Sequence, residues 1–162
     1  MNSREHTFAD DIILVSKTDL TGKIAYANQE FIKISGFTEK ELIGKAHNIV
    51  RHPEMPAVVF KLLWETVKSG NEINAYVINR SKDGGYYWVF ANVAPSVTAN
   101  GELVGYHSTR HTPKKEALVT IKNLYKELLE IEKNSGIDAS YKKLENILNE
   151  KGVAYDEFIL SL

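Results

Sequence analysis

The stretch His47-Asn48-Ile49-Val50-Arg51-His52-Pro53-Glu54-Met55-Pro56 concentrates two histidines, an arginine and a glutamate beside two prolines. No other part of the chain sets so many titratable side chains next to helix breakers. Each has a binding and a structural reading. The planar fork of Arg51 suits phosphate or other polar acceptors; it can equally form a surface ion pair with Glu54. His52 can hydrogen-bond a ligand or ligate a haem iron, or it can brace the loop before Pro53. His47 reads as the residue that orients the loop. Asn79 stands in a strand, where asparagine is unfavourable without a purpose. Asn28 suits the cap of a helix. His107 stands in a strand that can face a pocket and His111 near the sheet's exit, each more often a surface histidine than a ligand, and Trp64, Trp88 and Phe90 read as packing aromatics.

These residues need elements to hold them. Ile12 to Ser16 is β-branched and reads as a strand. Thr18 to Gly22 makes a turn, and Lys23 to Ala27 returns as the second arm of a hairpin. A helix follows Asn28, carries Phe31 and Ile32, and ends at Gly36. Thr38-Glu39-Lys40-Glu41 is a capping box. Pro53 and Pro56 prevent a continuous helix through the charged stretch. Pro56 then suits the first turn of a helix with Val59, Leu62, Leu63 and Val67 at helical spacing and Phe60 and Trp64 beside them. Three strands come next, 73–80, 86–93 and 103–110, the first two joined by a turn at Asp83-Gly84.

The order β–β–helices–β–β–β implies an α+β fold: a five-stranded antiparallel sheet with helices on one face. A cavity between sheet and helices is a normal ligand site in this class. Residues 114–134 and about 138–151 form two amphipathic helices, followed by an apolar tail from Tyr155. Their apolar stripes either pack on the chain's own sheet or serve a dimer or partner; a stripe alone does not separate these.

Composition narrows the function. The 162 residues suit one domain with an appendage, 43% are hydrophobic, and 20 basic residues nearly balance 21 acidic ones. That balance gives no case for nucleic acid. There is no cysteine, hence no disulfide or thiolate chemistry, and no apolar run long enough for a membrane span. The expectation is a cytoplasmic protein without membrane insertion. No phosphate-cradling glycine fingerprint, zinc-ligand pair or nucleophile elbow appears, so an enzyme is not expected.

Thr18-Asp19-Leu20-Thr21-Gly22-Lys23-Ile24-Ala25-Tyr26-Ala27-Asn28, then Phe31 with Ile34-Ser35-Gly36-Phe37-Thr38, Glu41-Leu42-Ile43-Gly44, and Arg80-Ser81-Lys82-Asp83-Gly84-Gly85-Tyr86-Tyr87-Trp88-Val89 together resemble the PAS superfamily of small sensor domains. The charged stretch from His47, with Phe60 and Trp64, Val77 to Arg80 and Tyr106 to Arg110, resembles more narrowly the FAD-binding PAS domains of bacterial aerotaxis (energy taxis) receptors, here in a stand-alone soluble form. The resemblance covers roughly residues 10–112, a PAS sensor domain, and leaves 113–162 as a helical extension for signalling or for dimer or partner contact. It implies non-covalent FAD, redox sensing for chemotaxis, and a separate membrane-bound transducer of the methyl-accepting type as partner, with a homodimer also possible. It implies flavin contacts from Asn28, Arg51, His52, Glu54, Phe60 and Asn79. Asn79 would donate and accept at the ring edge. The sequence departs from the family at Ile73, where a tryptophan is usual, and at Glu54, where aspartate is common. A haem-binding gas sensor and a ligand-free interaction module on the same fold are the alternatives.

Overall fold

The computed structural model describes residues 4–162. Five strands, β1 (Leu14–Thr18), β2 (Ile24–Ala27), β3 (Ile73–Arg80), β4 (Tyr86–Val97) and β5 (Leu103–His111), form one sheet in the order β2-β1-β5-β4-β3. Every neighbouring pair is antiparallel. The sheet is the expected one, with shifts at strand ends, the larger ones in β1 and β4. β1 starts two residues later than the β-branched run, because its ladder with β5 begins at Leu14 opposite Arg110. β4 continues past Val93 to Val97, pairing there with β5 alone. Pro95 therefore sits where β4 has no neighbour on the β3 side, an edge position in which proline is tolerated.

Alternation along the strands defines two faces. Leu14 and Ser16, Tyr106, Ser108 and Arg110, Ala91 and Val93, and Val77 and Asn79 are in register on one face. Tyr76, Ile78, Trp88 and Phe90 share the other. Gly105 lets β5 approach β1: a Cβ there would collide with the carbonyl oxygen of Thr18, and backbone cannot easily give way.

The helices between β2 and β3 are α1 (Gln29–Ser35), α2 (Glu39–Leu42), a 3-10 turn (His47–Val50) and α3 (Ala57–Lys68). Asn28 caps α1, its Oδ1 accepting from Phe31 N at 3.0 Å, and Gly36 closes it at φ 74°. The Thr38/Glu41 capping box is complete. Pro56 stands at the cap of α3, not inside its first turn, and has no side chain to satisfy the free N–H groups. Glu132 supplies that function from far along the chain: its carboxylate accepts from Ala57 N at 2.8 Å and Val58 N at 3.1 Å.

Glu132 belongs to α4 (Lys115–Ser135), which is followed by α5 (Ile137–Lys151) and α6 (Tyr155–Leu160). These helices pack on the chain's own sheet. Ala117, Ile121, Leu124, Tyr125 and Leu128 of α4 are buried in one core with Leu144, Phe158 and Ile159. Tyr125 stacks near Trp88, with ring centroids 6.0 Å apart, and its hydroxyl donates to the Tyr76 carbonyl. The C-terminal helices thus cover the face opposite the earlier helices, reaching round edge strand β3 to hold α3 through Glu132. The apolar segment after Gly152 is itself helical, as α6.

Candidate functional site

A cavity of about 450 Å³ lies between the first sheet face and the 3-10 turn and α3. Its lining contains Arg51, Lys61 and Arg110 but no aspartate or glutamate. A larger cleft of about 700 Å³ lies elsewhere, between the N-terminal segment, α1 and the turn at Ser81–Asp83. It holds none of the buried polar atoms that lack a partner, so its size alone does not make it the better site.

Of the six residues expected to contact a ligand, the structure brings Arg51, Phe60 and Asn79 together. Asn79 is 4% exposed on β3 and lines the cavity. Arg51 leaves the 3-10 turn in extended conformation and forms an isolated antiparallel bridge with Asn79. This bridge joins the charged loop to the sheet edge. The Arg51 guanidinium lies 4.7 Å from the centroid of the Phe60 ring. It makes no ion pair with Glu54.

The other three are placed differently. Asn28 is spent on the backbone: Oδ1 accepts from Val15 N and Phe31 N, and Nδ2 donates to the Ile13 carbonyl. It does not line the cavity. His52 braces the loop, its Nδ1 accepting from Glu54 N at 3.1 Å, with its ring edge-on to Tyr86. Burial lowers its pKa from the usual histidine value, against the raising effect of Glu54. This tight turn leaves Glu54 exposed. Ile73, where the resemblance led to an expected tryptophan, is buried opposite Val93 and outside the cavity lining.

The residues not foreseen form the inner end. Arg110 is 4% exposed. Its Nη2 donates to Ser16 Oγ at 2.7 Å and lies 2.8 Å from His47 Nε2. Arginine only donates, so Nε2 of His47 accepts and the ring is neutral with its proton on Nδ1. Desolvation, then the charge of Arg110, lowers the His47 pKa to about 3. His47 therefore does more than orient the loop. Trp64 is a wall of the cavity, edge-on to Tyr106 with centroids 5.3 Å apart. The sequence signal for Arg110 was its phase: it stands in register with Tyr106 and Ser108, so an inward Tyr106 carries an inward cation.

The chain's sequence matches the family described as PAS fold over residues 24–110. It is 44% identical over 120 residues to the aerotaxis receptor of Escherichia coli (strain K12), covering 74% of this chain and 24% of that protein. It is 27% identical over 94 residues to the nitrogen fixation regulatory protein of Klebsiella pneumoniae, covering 58% of this chain and 19% of that one. The matching region thus spans about a quarter of the aerotaxis receptor and less of the second relative. Among solved structures, the PAS domain of a protein from Colwellia psychrerythraea aligns with a TM-score of 0.57 at 20% identity, over 65% of this chain and 91% of that one. A light-oxygen-voltage domain studied with a flavin analogue aligns with a TM-score of 0.59 at 21% identity, over 71% of this chain and 87% of that one. These two likenesses are of fold.

Proposed function

The chain belongs to the PAS fold family, and from that premise we propose that it is a redox sensor for energy taxis that binds FAD in the cavity behind the sheet. One observation carries this reading: the cavity presents two arginines and a buried amide, and no carboxylate, among its lining residues, while the ammonium of Lys61 turns to Asp138 and Tyr141 of α5. Such a lining suits a ligand with anionic groups and a polar heterocycle. The volume of about 450 Å³ suits a flavin ring and part of its chain, the remainder of FAD extending beyond it. When bound, FAD supplies reversible electron transfer.

The chain's own residues do the rest. Exposed Arg51 attracts the anionic part, braced on Phe60. Asn79 is the amide that can present either a donor or an acceptor to the ring edge by rotation. His52, Glu54 and Asn28 hold the loop and the first helix without lining the cavity. A reoriented Asn79 acts on the Arg51 bridge, the loop to Pro56, the start of α3 and Glu132 in turn. Residues 10–112 then sense, and residues 113–162 report to a separate membrane-bound transducer of the methyl-accepting type. No helix among the described residues is long and apolar enough to cross a membrane, and the proposed setting is the cytoplasm. A homodimer is the alternative assembly.

The test is the absorption spectrum of the purified protein, before and after incubation with FAD. Flavin bands that are released on denaturation, and weakened in Arg51→Ala and Asn79→Ala, are expected. A protein that stays colourless after reconstitution refutes the reading, and a Soret band in place of flavin bands transfers it to haem.

A further inference from the structure

Arg110 is a buried cation that the fold leaves without a counter-charge. No ion pair among the described residues includes it, and the cavity lining holds no carboxylate. Its hydrogen-bond neighbours, Ser16 and His47, are neutral, and Phe31 lies under the guanidinium at 4.8 Å. Burial lowers its pKa to about 10, which leaves it charged at neutral pH. Only Nη2 is used; Nη1 is buried with no partner. Ser108 Oγ, two residues away on the same face, is also buried with no partner. A buried charge is costly unless something answers it, and a stranded donor adds to that cost. Tyr87, on the same sheet face, brings a buried hydroxyl near this charge but makes no hydrogen bond with it, and Ser16 and His47 need only a neutral donor.

We infer that Arg110 and Ser108 form a subsite for the electron-rich carbonyl edge of the bound heterocycle, and that Arg110 supplies the positive charge which selects it. The inference rests on the flavin reading. Donor number decides between ring and phosphate: one guanidinium nitrogen and one hydroxyl match one or two acceptor atoms, not the many oxygens of a pyrophosphate. The exposed Arg51 is the cation for those, since Lys61 is already paired with Asp138.

The experiment compares wild type, Arg110→Met, Arg110→Lys and Ser108→Ala by titration with FAD and with riboflavin, which lacks phosphate, and by ligand-free melting. Arg110→Met should lose about tenfold or more in affinity for both ligands by the same factor. Arg110→Lys should recover part of it, and Ser108→Ala should lose a smaller factor for both. The ligand-free melting temperature of Arg110→Met should equal or exceed that of wild type, because an unanswered charge has gone. A loss confined to FAD, unchanged affinities, or a marked fall in ligand-free melting temperature overturns the inference. If wild type binds neither flavin, the flavin reading fails, and melting alone decides: a fall for Arg110→Met makes Arg110 structural, whereas a rise keeps it a ligand-facing cation.

Discussion

Replacing His47 with asparagine should flatten the acid side of the stability profile. In the folded chain its pKa is lowered from 6.5 to about 3, chiefly by desolvation and then by Arg110. The unfolded chain therefore binds more protons than the folded one between those values. Stability from neutral His47 is complete above the unfolded value and is lost as pH falls through it, so this group makes stability rise with pH. Taken at full size, the shift removes about 2 kcal/mol between about pH 7.5 and about pH 5. The ring opens onto the cavity, and water there brings the figure nearer about 1 kcal/mol. Asparagine keeps an acceptor for Arg110 but does not titrate. The assay is urea unfolding of both proteins at several pH values. The carboxylates contribute equally to both, so the difference between the curves isolates His47. The gap at neutral pH should shrink by about 1 to 2 kcal/mol by about pH 5. Parallel curves would refute the neutral, desolvated His47 and with it the described Arg110–Ser16–His47 cluster.

Asn28→Ala removes an amide that makes three backbone hydrogen bonds and should cost about 2 kcal/mol in chemical unfolding. Cofactor content per folded molecule should not change, because Asn28 lies outside the cavity; a specific loss of cofactor would contradict its placement. Glu132→Gln removes the charge and one acceptor from the start of α3 and should cost about 1 kcal/mol. Hydrogen exchange should rise at Ala57 and Val58; unchanged protection there would argue against the Glu132 cap.

Local chemistry made much of the framework readable. The turn at Asp19 to Gly22, the Asp83-Gly84 turn, the Asn28 cap and the Thr38/Glu41 box each depend on neighbours a few residues away. The cavity end was harder to foresee because it joins Ser16, His47 and Arg110 from three separate segments. His52 and Glu54 look like equals of Arg51 in sequence. They part because the turn at Pro53 directs the Glu54 N–H back to His52, while Arg51 remains extended along Asn79. The stripe of α4 announced burial without saying against what; Trp88 and the Tyr76 carbonyl supplied the answer.

The Glu132 clasp binds the cavity wall to the C-terminal helices, and such a link cannot be one-way. If a ligand favours a position of α3 in which Ala57 and Val58 fit Glu132 less well, it weakens the hold on α4 and α5 by some coupling free energy. A partner that draws those helices away must then change ligand affinity by the same factor, because the two events share one thermodynamic cycle. In the proposed redox sensor, the receiver of the signal thereby becomes an effector of the sensor. The strength of the coupling can be read from the cofactor alone, as the ratio of its dissociation constants with and without the partner bound.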